Sequence, residues 1–175
     1  MKSRTCSMTL ILSLLSFGSG AEAGSEFPTF SDETDTRLSA SPATGSADIS
    51  EKDYGIGDFD QDGDDDVVVA RRIGLNPNNG QPLPNTLLMN EAGVLTDRTA
   101  ALAPGLLDSQ RSRDVAVADV DGDGWLDVLV ADGPNNPLVL LLNQGESAGV
   151  WQGFVASPAS LPVGFNVDAW SIAVG

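Results

Sequence analysis

The sequence of 175 residues contains no histidine and only one cysteine, Cys6. Without histidine the chain has no Ser–His pair and no histidine-ligated zinc site. A single cysteine excludes a disulfide within the chain. Lysine is scarce as well, with only Lys2 and Lys52, whereas an aspartate that transfers phosphate needs a basic partner. These absences disfavour several common catalytic centres.

Positive charge is also in short supply. The chain has 25 acidic and 9 basic residues, a formal net charge of −16. Such a charge repels phosphate backbones and anionic lipid surfaces. We therefore expect no nucleic-acid partner, and the acidity suits a protein that lives in calcium-rich extracellular fluid.

The N-terminus has the pattern of a secretory signal. Lys2 and Arg4 precede the apolar run "MTLILSLLSF", and "AEA" ending at Ala23 fits cleavage between small residues. The run is too short to span a bilayer, which disfavours an uncleaved anchor, and no later segment is apolar enough to do so. The pattern predicts a signal peptide over residues 1–23 and a secreted or periplasmic protein with no membrane span after cleavage.

The remaining chain contains an internal repeat. "DFDQDGDDDVVVA" begins at Asp58, and "DVDGDGWLDVLVA" begins at Asp119. An alternating apolar stretch precedes each copy ("DYGIG", "DVAVA"), and a β-branched run follows it, as is typical of strands. Two further apolar runs separated by turns complete each unit, with the third strand expected in "TLLMN" and "LVLLLN" and the fourth in "VLTDRT" and "VWQGFV". The pattern predicts four short strands per unit, with one short helical turn at most, in "AALAPGLL".

The repeat predicts the organisation of the chain. "FSDET" near the N-terminus resembles "LTDRT" at the end of the first unit, and the closing "SIAVG" resembles the strand before each loop. We expect the chain to continue with an aspartate after Gly175. The predicted parts are the signal peptide (1–23), an N-terminal segment with the outer strand of a blade (24–52), a first repeat (53–99), a connection (100–113), a second repeat (114–155), and the start of a truncated third repeat (156–175).

The acidic loops have the composition of a cation cage. Ca²⁺ prefers six to eight oxygen ligands, which aspartates at loop positions 1, 3, 5 and 9 and the carbonyl of position 7 can supply. Position 6 is glycine in both copies, as a sharp turn requires. Position 12 lies in a strand and is not the glutamate of an EF-hand. The predicted ligands are Asp58, Asp60, Asp62, Asp64 and Asp66 in the first loop, and Asp119, Asp121, Asp123, Trp125 and Asp127 in the second.

A solvated acidic surface is the alternative interpretation. Two copies in register, each with glycine at position 6, argue against it. Asp64 and Asp65 lie off the repeated aspartate pattern, so we expect their carboxylates to face solvent and only the carbonyl of Asp64 to face the ion.

These motifs resemble the FG-GAP/VCBS repeats of integrin-α-like β-propellers in secreted bacterial proteins. The resemblance rests on "GDFDQDGDDDVVVA", "ADVDGDGWLDVLVAD" and "LTDRT", and it covers about residues 28–175. It implies an all-β fold of β-propeller blades with four antiparallel strands, about two complete blades and partial flanking blades. It also implies Ca²⁺ on the aspartates at positions 1, 3, 5 and 9. The second repeat departs from the family at "NQGESAG", where the turn is longer than usual.

Two functions follow from this resemblance. The first is a non-enzymatic module for adhesion to, or recognition of, an extracellular protein or polysaccharide. Its tryptophans, Trp125, Trp151 and Trp170, are expected to pack between blades more than to bind ligand. The second is part of a carbohydrate-active enzyme similar to a polysaccharide lyase, which would need an arginine–carboxylate constellation. The arginines near the repeats show no telling spacing to a carboxylate (Arg71, Arg72, Arg111 and Arg113), and we predict no catalytic residue.

Overall fold

The computed structural model describes residues 31–39, 52–72, 84–108, 111–133, 138–158, 161 and 171–174. Each repeat forms one antiparallel sheet, consistent with partial blades of a β-propeller, which confirms the predicted all-β class. The predicted signal peptide and Trp170 lie outside the described residues. So does Phe30, where an outer strand was expected, while residues 31–33 form no strand.

The first sheet contains the four predicted strands and one more. The strands are β1 (Leu38–Ser39), β2 (Lys52–Gly57), β3 (Asp66–Arg71), β4 (Thr86–Glu91) and β5 (Val94–Asp97). The order across the sheet is β1-β5-β4-β3-β2. The short strand β1 comes from the N-terminal segment. It pairs parallel to β5 and covers the outer edge of the sheet, with Leu38 opposite Leu95.

The second sheet repeats this pattern with one insertion. Its strands are β6 (Asp114–Ala118), β7 (Asp127–Ala131), β8 (Val139–Asn143), β9 (Glu146–Ser147), β10 (Val150–Trp151) and β11 (Phe154–Ala156). The order across the sheet is β11-β8-β7-β6. The prediction of a single fourth strand over "VWQGFV" was wrong in its first half, because Val150 and Trp151 pair with β9 in a separate hairpin. Pairing with the sheet begins at Phe154.

Short helical turns follow the two similar segments "FSDET" and "LTDRT". Helices α1 (Thr34–Arg37) and α2 (Thr99–Leu102) both begin at the matching threonine. Each threonine N–H donates to the aspartate two residues earlier, Asp32 or Asp97, at 3.1 and 3.0 Å. A 3₁₀ turn follows α2, so two short turns stand where one was predicted. Within the described residues, no helix is long and apolar enough to cross a membrane.

The two sheets pack face to face around one core, and glycines set how closely they approach. Fully buried residues from both sheets meet there, among them Val68 and Val128. On β2, a Cβ atom at Gly55 would lie 2.8 Å from Val117 Cγ2, and one at Gly57 would lie 2.8 Å from Leu126 Cδ1. The alternation of glycine with larger residues in "YGIG" is therefore a requirement of contact between the repeats.

Aspartates at the start of β2 and β6 link successive repeats. The carboxylate of Asp53 accepts a hydrogen bond from the backbone N–H of Val115, at 2.9 Å. Asp114, at the same place in the second repeat, accepts one from the N–H of Ile172, at 2.6 Å. Residues 171–174 therefore make the same kind of contact with the second repeat that β6 makes with the first, although residues 171–174 do not form a strand. The third repeat itself stays a prediction.

A buried polar network fastens the sheets at the end opposite the acidic loops. The side chain of Asn85 donates to Ser112 Oγ at 2.8 Å, and this hydroxyl donates to Asp132 at 3.1 Å. Asn85 also accepts from the backbone N–H of Arg71. Arg71 and Asp132 are both buried, so we assign them to the contact between the two sheets.

Replacement of Gly55 by alanine tests the close contact between the repeats. We expect Gly55→Ala to lower the free energy of unfolding by about 1–3 kcal/mol, because the added methyl group overlaps Val117. Without that contact the change should be neutral or stabilising, since glycine weakens a strand. Urea denaturation measures the difference. Ile56→Val on the same strand, where Ile56 is 59% exposed, is the control and should change stability by less than about 0.5 kcal/mol.

Candidate metal sites

Each acidic loop is the turn of a β-hairpin, as the sequence predicted. The first loop joins β2 to β3, where Gly57 pairs with Asp66. The second joins β6 to β7, where Ala118 pairs with Asp127. The glycine at position 6 has a φ of +99° in the first loop and +92° in the second, a conformation that side chains with a Cβ rarely adopt. The two loops therefore share one backbone fold.

Three carboxylates converge in each loop. Oxygens from positions 1, 3 and 9 lie within 4.8 Å of one another in both copies. The closing aspartate at position 9 is buried, and the other two are more exposed. The groups are Asp58, Asp60 and Asp66 in the first loop, and Asp119, Asp121 and Asp127 in the second.

The other predicted ligands are not part of these groups. Asp62 accepts a hydrogen bond from the backbone N–H of Asp64 at 2.9 Å, and Asp123 accepts one from that of Trp125, also at 2.9 Å. Both carboxylates are exposed, as are those of Asp64 and Asp65. The residues at position 5 thus hold the turn in this structure, and the carboxylate of Asp64 faces solvent as expected.

The closing aspartates anchor the loops to their sheets. Asp66 Oδ2 accepts from the N–H of Phe59 at 3.1 Å, and its Oδ1 accepts from the N–H of Asn90 at 2.8 Å. Asp127 accepts in the same way from Val120 and from Asn143.

The aspartate pattern alone does not indicate the two asparagines that bind these carboxylates, Asn90 and Asn143. Their signal is the asparagine that ends the third strand in both "TLLMN" and "LVLLLN".

Burial makes these carboxylates costly to ionise. Loss of hydration raises the pKa of Asp66 from an ordinary 3.8 to about 6, against the opposing effect of the hydrogen bonds from Asn90 and Phe59. Burial raises the pKa of Asp127 and of Asp60 as well, and neighbouring loop carboxylates push in the same direction. A positive ion within each loop would remove this penalty.

The donor atoms fit a hard divalent cation. Every converging group is a carboxylate, which suits Ca²⁺ or Mg²⁺ and not a soft metal. Oxygen Oδ1 of Asp58 is buried and has no hydrogen-bond partner among the described residues. Buried acceptors normally have a partner, so this oxygen is available to a ligand. A flexible loop with carboxylates and nearby carbonyls favours the larger ion, Ca²⁺.

Comparison with known proteins identifies the repeats. Residues 58–130 match the family model described as FG-GAP-like repeat. The matched stretch runs from the first aspartate of the first loop into β7, so it includes both loops. No curated protein and no solved structure matches the chain. The match of residues 58–130 to FG-GAP-like repeats confirms the resemblance that their motifs indicated.

The raised pKa of Asp66 predicts the pH dependence of the calcium-free protein. Between the ordinary value of 3.8 and about 6, the folded protein binds more protons at Asp66 than the unfolded chain does. The free energy of unfolding should therefore fall as the pH rises through this window. Urea denaturation at a series of pH values in chelator measures the slope.

Two variants test whether Asp66 contributes to this slope. Asp66→Asn should make it shallower and leave the contributions of Asp127 and Asp60, whereas Asp64→Asn, which changes an exposed carboxylate of the same loop, should leave it as in the wild type. An unfolding free energy that rises with pH across the window would contradict the assignment.

Proposed function

We propose that the FG-GAP-like repeats bind one Ca²⁺ in each acidic loop, and that this calcium stabilises a secreted propeller module for recognition. Its ligand would be an extracellular protein or polysaccharide, bound without catalysis. The observation that carries the proposal is the duplicated group of three converging carboxylates, each closed by a buried aspartate. A merely solvated acidic surface would have no reason to bury one carboxylate of each group.

Each site has a core and a periphery. The converging carboxylates form the core, and the position 5 aspartate and the position 7 carbonyl complete the coordination. Calcium supplies the positive charge that these carboxylates need to ionise in a buried place. The first site uses Asp58, Asp60 and Asp66 with Asp62 and the carbonyl of Asp64. The second uses Asp119, Asp121 and Asp127 with Asp123 and the carbonyl of Trp125.

Calcium binding of ordinary strength suffices for a stabilising role. Extracellular calcium modules bind with a Kd of about 10⁻⁴–10⁻³ M. In millimolar calcium, mass action then adds about 0.4–1.4 kcal/mol of stability per site. Two sites would then add about 0.8–2.8 kcal/mol, a useful fraction of the about 5–15 kcal/mol that is typical of a small domain.

The inserted hairpin β9–β10 supports a role in recognition. The first repeat crosses from β4 to β5 in a tight turn at Ala92 and Gly93, whereas the second inserts this hairpin at the same place. Val150 at its tip is 61% exposed. Segments that depart from a rigid scaffold commonly carry binding function.

Two tryptophans serve the fold. The indole N–H of Trp151 donates to Asn143 Oδ1 at 2.8 Å, and its ring meets Phe154 edge-on with 5.4 Å between centroids. Trp125 packs against Gly145, where a Cβ atom would lie 2.8 Å from the indole nitrogen. Ligand contacts are therefore assigned to the exposed hairpin and not to these rings.

Calcium titration tests the sites directly. We expect calorimetry to show two ions per chain at sub-millimolar to millimolar affinity. Asp60→Ala and Asp121→Ala should each abolish one site, because each removes one of three converging carboxylates. Asp64→Ala is the matched control, since it removes the same charge from an exposed position of the first loop. It should retain both ions.

Two outcomes would contradict calcium binding at these loops. One is wild-type calcium binding by the double variant Asp60→Ala/Asp121→Ala. The other is a melting temperature that neither calcium nor chelator changes.

Recognition is tested on arrays of polysaccharides and extracellular matrix proteins. We expect the secreted protein to bind one class in calcium and to lose that binding in chelator, with no cleavage of the bound polymer. Val150→Ser should weaken binding and leave calcium affinity unchanged. Release of unsaturated sugars would instead establish the lyase alternative.

A further inference from the structure

We propose that the two calcium sites are coupled, so that Ca²⁺ in one loop raises the affinity of the other loop. The inference rests on the proposed calcium binding and adds how the two sites influence each other. Coupling between sites requires a physical connection whose state both ligands bias. The structure contains two such connections between the loops.

The first connection is a hydrogen bond from one loop to the other. Gln61 lies between Asp60 and Asp62, at position 4 of the first loop. Its Nε2 donates to the carbonyl oxygen of Gly124 at 3.0 Å. Because Gly124 is the turn glycine of the second loop, the turns of the two loops contact each other across the boundary between repeats.

The backbone conformation of Gln61 is one that glycine adopts more easily, which indicates that the side chain is present for this bond. Gln61 has a φ of +59°, in the left-handed region, which is unfavourable for residues with a Cβ. The second loop has Gly122 at the same position, with a φ of +81°. Glycine would suit the backbone of the first loop as well. What glutamine adds is the side-chain bond to Gly124.

The second connection is buried and joins the two closing aspartates. Asp66 accepts from the N–H of Phe59, and the carbonyl of Phe59 accepts from the side chain of Asn143 at 2.9 Å. The N–H of Asn143 then donates to Asp127 at 2.8 Å. Asn90, the counterpart of Asn143, keeps its side-chain bond within its own repeat. One hydrogen-bonded chain thus runs from site to site.

These connections give the coupling a positive sign. An ion in the first loop fixes Asp60 and Asp62, and with them Gln61 between them. The second loop is then held through Gly124 before its own ion arrives, so it loses less conformational freedom on binding. Direct repulsion between the two ions acts in the opposite direction, but salt screens it.

Calcium titration of single-site variants at physiological ionic strength measures the coupling. We expect the site that remains in Asp121→Ala to bind calcium about 5-fold or more weakly than the same site binds in the wild type with its neighbour filled. The site that remains in Asp60→Ala should weaken by the same factor, because linkage is reciprocal.

Variants of Gln61 test the connection itself. Gln61→Gly should bind two ions with weaker coupling than the wild type, because only the buried connection through Phe59 and Asn143 remains, and its fold should survive because Gly122 occupies the same position in the second loop. Gln61→Asn, which tolerates the left-handed conformation but is one methylene shorter, should also weaken the coupling. Gln152→Ala is the control, since Gln152 is exposed and lies outside both loops. It should titrate like the wild type.

The possible outcomes distinguish a failure of the coupling from a failure of the proposed calcium binding. Two ions that bind with the same affinities in the wild type, the single-site variants and Gln61→Gly would overturn the coupling and leave calcium binding intact. Stronger binding by the single-site variants than by the same site in the wild type with its neighbour filled would also overturn it. A wild-type protein that binds no calcium would overturn the proposed function first, and the coupling with it.

Discussion

The buried carboxylate at the ninth position of each loop is the constraint on which the rest of the structure depends. Asp66 and Asp127 each accept one backbone N–H from the start of their own loop and one from the end of the third strand. These bonds fix the loop on its sheet, but they place a carboxylate where ionisation is costly. A cation in the loop, as proposed, would resolve this conflict and would make folding and ion binding one linked equilibrium.

Packing between the repeats extends this constraint from one sheet to two. Gly55 and Gly57 let β2 approach β6 closely, and Phe59 leaves the first loop to pack edge-on against Phe154 of the second sheet, with 5.4 Å between ring centroids. The loop of one repeat is thus part of the core of both. At the end of the interface opposite the acidic loops, Asp53 accepts a hydrogen bond from β6 of the second repeat, and the Asn85–Ser112–Asp132 network fastens the same end.

Features that recur in both repeats could be predicted from the sequence, because the same order of strand-forming and turn-forming residues occurs twice. The hairpin loops and the turn glycines belong to this group. The sequence also indicated a longer turn at "NQGESAG", but the β9–β10 hairpin within it could not be predicted, since it occurs in one repeat only and its strands are two residues long. The contact of Gln61 with Gly124 depends on how the two sheets pack, which local sequence does not encode.

The central claim is that calcium occupies both loops on the converging carboxylates. A crystal structure of the protein grown in calcium, with an anomalous difference map, tests it most directly. We predict two calcium peaks, one about 2.3–2.6 Å from oxygens of Asp58, Asp60 and Asp66, and one at the same distances from Asp119, Asp121 and Asp127. Ordered loops without an anomalous peak, or calcium bound only elsewhere, would contradict the claim.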